Sequence, residues 1–164
     1  MTDMLKNMKI INYFESRQKE HWLEEIARAD WSAAASLHRQ LSGGTFLKSA
    51  GENSKVLLLT DGDELVSFCT YAGTDDIRPV ELTPWMGYVF TFPEHRGHHY
   101  AGILMDEVSR LAAADGADAF YISTGHTGLY EKYGCEYLTE MENMNGGISR
   151  VYVKKIGAPE NADQ

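Results

Sequence analysis

The run "FTFPEHRGHHYAGILM", residues 90–105, sets Arg96, Gly97, His98 and His99 between an aromatic strand and an apolar helix. Three chemistries could use such a segment. The imidazoles of His95, His98 and His99 could ligate zinc, the glycine-containing turn could cradle a phosphate, or the whole could be an ordinary strand-to-helix turn. Adjacent histidines at the start of a helix point in different directions, and no Cys or carboxylate cluster completes a ligand set, so no metal is expected. A turn that feeds a helix leaves backbone N–H groups unpaired at the positive end of the helix dipole. Such a site takes an anion without any basic side chain. NTP hydrolysis is a poor fit, because Ile103 and Leu104 follow Gly97 and Gly102 where a phosphate-binding loop needs Lys and Ser or Thr. The dinucleotide pattern G-x-G-x-x-G is absent.

The elements that must hold this segment can be read from periodicity. Residues 8–14 (MKIINYF) are β-branched and aromatic, a first strand. Trp22, Leu23, Ile26 and Ala27 fall on one stripe and predict a helix over 18–29, with a second over 31–41 ended by Gly43 and Gly44. Two β-rich runs, 55–60 and 64–72, flank Asp61-Gly62-Asp63 and predict a hairpin. Residues 74–84, with two prolines and three acids, read as a loop into a strand that Pro93 stops. Leu104, Val108, Leu111 and Ala112 predict a helix from Tyr100 to Asp115, capped by Gly116. A buried strand at 118–124, a short helix at 127–134 and two last strands complete the order β α α β β β α β α β β. This is an α/β (α+β) mixed sheet in a single domain over 1–164, with 157–164 a loose tail.

Composition narrows the function classes. A hydrophobic fraction of 43% with 24% charged residues is that of a folded globular chain rather than a disordered one. The net charge of −9 repels polyanions, which argues against nucleic acid or an anionic membrane as partner. No apolar run approaches the roughly 20 residues that span a bilayer. Cys69 and Cys135 lack CxxC spacing and no secretory signal is apparent, so a reduced, cytoplasmic protein is expected.

Two stretches resemble the GNAT superfamily of acyl-CoA-dependent N-acyltransferases. "PEHRGHHYAGILM" is similar to its signature R/Q-x-x-G-x-G/A, running from Arg96 to Ala101, and "GLYEKYGCEYL" (128–138) to its second motif, L-Y-x-K-x-G-F. Both occur in the right order, and the element order over about residues 8–156 is also that of the family. His99 stands where the family has a glycine, and Cys135 where phenylalanine is common.

The resemblance implies acetyl-CoA as acyl donor, its pyrophosphate on the N–H groups of Arg96, Gly97, His98, His99, Tyr100, Ala101 and Gly102. The pantetheine arm would pair with the backbone of Phe90, Thr91 and Phe92, in a cleft between residues 88–92 and 119–123. It further implies that Tyr130 offers its phenol to the departing sulfur. Glu81, His126 and Glu94, in that order, are candidates for the general base that takes the amine's proton. Acidic residues 75, 76 and 81 would suit a cationic small-molecule or peptide amine. The alternative is a non-catalytic acyl-CoA-binding sensor or regulatory module, and either a monomer or a homodimer is compatible with the sequence.

Overall fold

The computed structural model describes residues 7–75, 81–125 and 127–156. The first strand, β1 (Met8–Asn12), is shorter than its apolar run, because Asn12 accepts a hydrogen bond from the Phe14 amide and turns the chain into a 3-10 segment, Tyr13–Glu15. Helices α1 (Lys19–Ala27) and α2 (Ser32–Ser42) follow as their stripes require, and a further helix α3 (Phe46–Ala50) had no periodic signal. β2 (Lys55–Asp61) and β3 (Glu64–Ala72) form the hairpin, with Gly62 at φ 63° in its turn. Then come β4 (Trp85–Thr91), α4 (Tyr100–Ala114), β5 (Ala119–Thr124), β6 (Glu136–Glu142) and β7 (Ile148–Lys155). The helix expected over 127–134 is a 3-10 turn, Tyr130–Tyr133.

The seven strands make one sheet in the order β1-β2-β3-β4-β5-β7-β6. All neighbours are antiparallel except β4 and β5, which run parallel and share one registered pair, Trp85 with Tyr121. Beyond that pair the two strands part. Among the described residues no helix is long and apolar enough to cross a membrane.

Each face of the sheet has its own core. On one, Leu104, Met105, Val108 and Ala112 of α4 pack on Leu57, Cys69, Met86, Phe120 and Ile122. On the other, Trp22 and Ile26 of α1, Leu37 and Leu41 of α2 and Phe46 of α3 pack on Leu58, Leu65 and Phe68. The β3/β4 ladder slips between these layers: Phe68 pairs with Phe90, but Thr70 pairs with Gly87, so two residues, Tyr88 and Val89, stand opposite Cys69. This bulge re-aims the strand. Tyr88 sits at φ 50°, and by the alternation on either side Gly87, Tyr88 and Phe90 all leave the face that carries α1–α3.

The start of α4 is equally unusual. Its N-cap residue, His99, adopts left-handed dihedrals (φ 60°, ψ 34°) rather than helical ones, and its side chain caps no N–H. Gly97 is also at positive φ, 90°. A left-handed backbone is costly for a residue with a Cβ, so the dihedrals at position 99 are ones that a glycine would adopt without strain.

Two outcomes follow for stability. Leu104, fully buried where α4 meets the sheet, should lose about 2–5 kcal/mol on replacement by Ala, read from the urea midpoint. His99→Gly should raise that midpoint, by up to about 1 kcal/mol, since it relieves the left-handed strain.

Candidate active site

Strand β4 leads to the loop through a 3-10 turn, Pro93–His95, held in place by side chains. Arg28 at the end of α1 bonds Glu94 at 3.1 Å and lies 4.6 Å from the Phe92 ring centre, while His95 contacts Glu64 at 2.9 Å. Glu94 is therefore tied to a guanidinium. The three histidines do not converge: among the described residues the grouping with metal-ligand spacing is Glu64, Glu94 and His95, without His98 or His99.

The donors of the loop can be counted one by one. Arg96 gives its N–H to Pro93 and Gly102 gives its own to His99, so both ends of the expected cradle are already satisfied. The amides of Gly97, His98, His99, Tyr100 and Ala101 have no acceptor among the described residues. The Arg96 side chain turns back to the strand, donating Nε–H to the Thr91 carbonyl at 2.8 Å and lying 5.3 Å from the Phe90 ring centre. Phe90 also stacks on Trp31, with centroids 5.6 Å apart. On the flank of α4 toward the 130–133 turn, a pocket of about 300 Å³ is lined by His99, Gly102, Tyr133 and Lys154 among others. Gly102 is needed there, because a Cβ would come within 2.9 Å of the Tyr133 ring.

The strand residues expected to pair with an extended ligand are largely engaged. Ser67 Oγ donates to the Phe90 carbonyl, Arg96 holds that of Thr91, and the buried Phe92 gives its N–H to Val66. Tyr88 and Val89, in the bulge, lie outside the register of either neighbouring strand. The opening itself begins after Tyr121, so on β5 it is bordered by residues 122–124 rather than by the expected 119–123.

Tyr130 is buried in the α4-side core, 6.2 Å from the ring of Tyr152. Burial pushes its phenol well above the usual tyrosine range, with smaller contributions from Cys69, Cys135, Tyr133 and Asp75. It therefore holds its proton at neutral pH. Glu81 is exposed in the loop before β4 and makes no hydrogen bond or ion pair to a described residue. His126 lies outside the described residues.

Two features were not foreseen. The Asp75 carboxylate sits directly over Gly87, so that a Cβ on that glycine would come 2.5 Å from Oδ1. On β5, the Oγ of Ser123 is buried and has no hydrogen-bond partner among the described residues. The glycine inside a strand signals a close approach, but which group approaches it is a tertiary fact.

This geometry can be set against known proteins. The model of the acetyltransferase (GNAT) domain matches residues 26–138, more than half of the chain. No curated protein matches. Among solved structures, an acetyltransferase from Streptococcus agalactiae is similar over 92% of this chain and 99% of its own, with TM-score 0.65 and 18% identity. An aminoglycoside 6'-N-acetyltransferase complexed with coenzyme A gives 0.63 at 15% identity, covering 92% of this chain and 98% of that one. An acetyltransferase from Salmonella typhimurium that modifies the N-terminal serine of a ribosomal protein gives 0.62 at 14%, over 93% and 96%. At these identities the structures speak for the fold, and the domain model speaks for the family. The mixed sheet that parts between β4 and β5 is thus the scaffold of a chain that belongs to the GNAT family of acetyltransferases.

Proposed function

We propose that this acetyltransferase moves an acetyl group from acetyl-CoA to a primary amine by direct transfer, both substrates being bound at once. The observation that carries this reading is the uncapped start of α4, with five amides unpaired among the described residues, at the end of a strand that has parted from its neighbour. An anion held there needs no cationic side chain, so the coenzyme's pyrophosphate is compatible with a net charge of −9. Backbone at the bulge would receive the extended arm as a further strand. The Ser123 hydroxyl, on the stretch of β5 beyond its pair with β4, is buried and has no hydrogen-bond partner among the described residues.

Bound acetyl-CoA supplies an activated thioester; the protein must position it and manage protons. Tyr130 is the proton donor for the departing sulfur in this reading: a phenol carries its proton at neutral pH, and Tyr130 sits in the α4-side core beside the split. A covalent route through cysteine is disfavoured: burial raises the Cys69 thiol strongly and pushes Cys135 up to about 11, leaving little thiolate at neutral pH. The acceptor is an amine of cationic character, in keeping with the acidic loop before β4. The similar aminoglycoside and N-terminal serine acetyltransferases also act on amines.

Titration calorimetry should find acetyl-CoA binding in the micromolar range and no heat from Mg-ATP; silence toward acetyl-CoA would end this reading. Tyr130→Phe should lower turnover about 100-fold and leave acetyl-CoA affinity unchanged within about two-fold. Undiminished turnover would remove Tyr130 from the proton path.

A further inference from the structure

The cleft has two sides, and the groups on them differ. Tyr130, Cys69 and Met86 belong to the α4 face. Gly87 leaves the opposite face, since its partner Thr70 lies between Phe68 and Ala72, both packed under α1–α3. Ser123 leaves that same face on β5, because its neighbour Ile122 packs under α4 and Tyr121 packs on Trp85. Trp85 and Tyr121 are the last paired residues of the two strands. Gly87 and Ser123 are each two residues further on, so they flank the split at the same level. Over Gly87 sits the half-buried carboxylate of Asp75.

The absence of a side chain at 87 has a spatial reason. Gly87 is not among the glycines at positive φ, so its backbone would accept any residue. Glycine within a strand weakens the sheet. What it provides here is room: a Cβ would meet Asp75 Oδ1 at 2.5 Å and Cγ at 3.3 Å. The strand thus yields packing to bring one carboxylate against the bulge.

From this placement we infer that Asp75 and Ser123 form the amine site of the acyl transfer, Asp75 receiving the acceptor's ammonium group and its first proton, Ser123 Oγ orienting the nitrogen. The inference rests on the acyl-transfer reading above and adds to it the side from which the amine arrives. Its proton balance is complete. The ammonium gives one proton to the Asp75 carboxylate, which passes it to water. The neutral nitrogen attacks the thioester carbon, so that a C–N bond forms as the C–S bond breaks. The sulfur takes the Tyr130 phenolic proton, and the second proton shed by nitrogen restores the phenol. Ammonium and thioester become amide, thiol and one released proton.

The test uses the whole chain with acetyl-CoA and three probe amines, a polyamine, an aminoglycoside and a peptide with a free N-terminus. Asp75→Asn should reduce kcat about 100-fold or more on any amine the wild type acetylates, with acetyl-CoA affinity unchanged in calorimetry. Added formate should restore part of the rate to Asp75→Ala, a result that a merely structural role would not produce. Gly87→Ala, which keeps Asp75 but displaces it, should also lower kcat. Ser123→Ala should raise the amine KM about ten-fold. If Asp75→Asn turns over at the wild-type rate, or if Ser123→Ala weakens acetyl-CoA instead of the amine, the assignment of that residue is overturned. A wild type that binds no acetyl-CoA overturns the acyl-transfer reading and this inference with it.

Discussion

Every backbone N–H and C=O in a sheet needs a partner, and the architecture of this protein turns on the place where that requirement is not met from within. β4 and β5 share one registered pair, then diverge, and on the other edge of β4 a bulge removes two residues from the β3 ladder. Unpaired buried backbone is expensive, so a split of this kind persists where water or a ligand completes it. The same holds at the start of α4, where the N-cap side chain contributes nothing to the five donors. Sheet and helix leave their gaps side by side.

The remainder of the molecule holds those gaps in position. The α4 core fixes the helix whose N-terminus carries the free amides. On the other face Arg28 ties α1 to the turn after β4, and the Trp31, Phe90 and Arg96 contacts lock the strand end to the loop. Arg28 and Arg96 thus serve the protein's own geometry, and the backbone donors at the start of α4 have no acceptor among the described residues. An acidic chain can bind a polyphosphate in this way without a cationic surface that would also attract other polyanions.

Much of this was legible in the residues. Long periodic runs specified α1, α2 and α4, and Asp-Gly between two β-rich segments specified the hairpin. The five-residue α3 escaped because Phe46–Ala50 is shorter than two helical turns and shows no periodicity. The bulge was not legible: the aromatics at 88, 90 and 92 alternate on even numbers, but that Trp85, at an odd one, shares their face follows only from its pairing with Ala72 in the folded sheet. His99 marked a departure, but the left-handed backbone behind it is a property of the folded turn. Arg96 matched a motif position, and its side chain nevertheless serves Thr91 and Phe90. Asp75 was named only as one of three acids suited to a cationic amine, because nothing local says that its carboxylate comes to lie over Gly87. The site was visible where it is made of neighbours in sequence and invisible where it is made of neighbours in space.

The single pair between β4 and β5 has a mechanical meaning as well. A sheet with seven strands would ordinarily behave as one plate, yet here β1 to β4 form one leaf and β5, β7 and β6 another, seamed at one end and backed by α4. Anything that lies along the open seam and bonds to both leaves acts as a rivet. Its binding energy then enters the cohesion of the whole fold, so that the resistance of this protein to heat would rise with the supply of its own substrate.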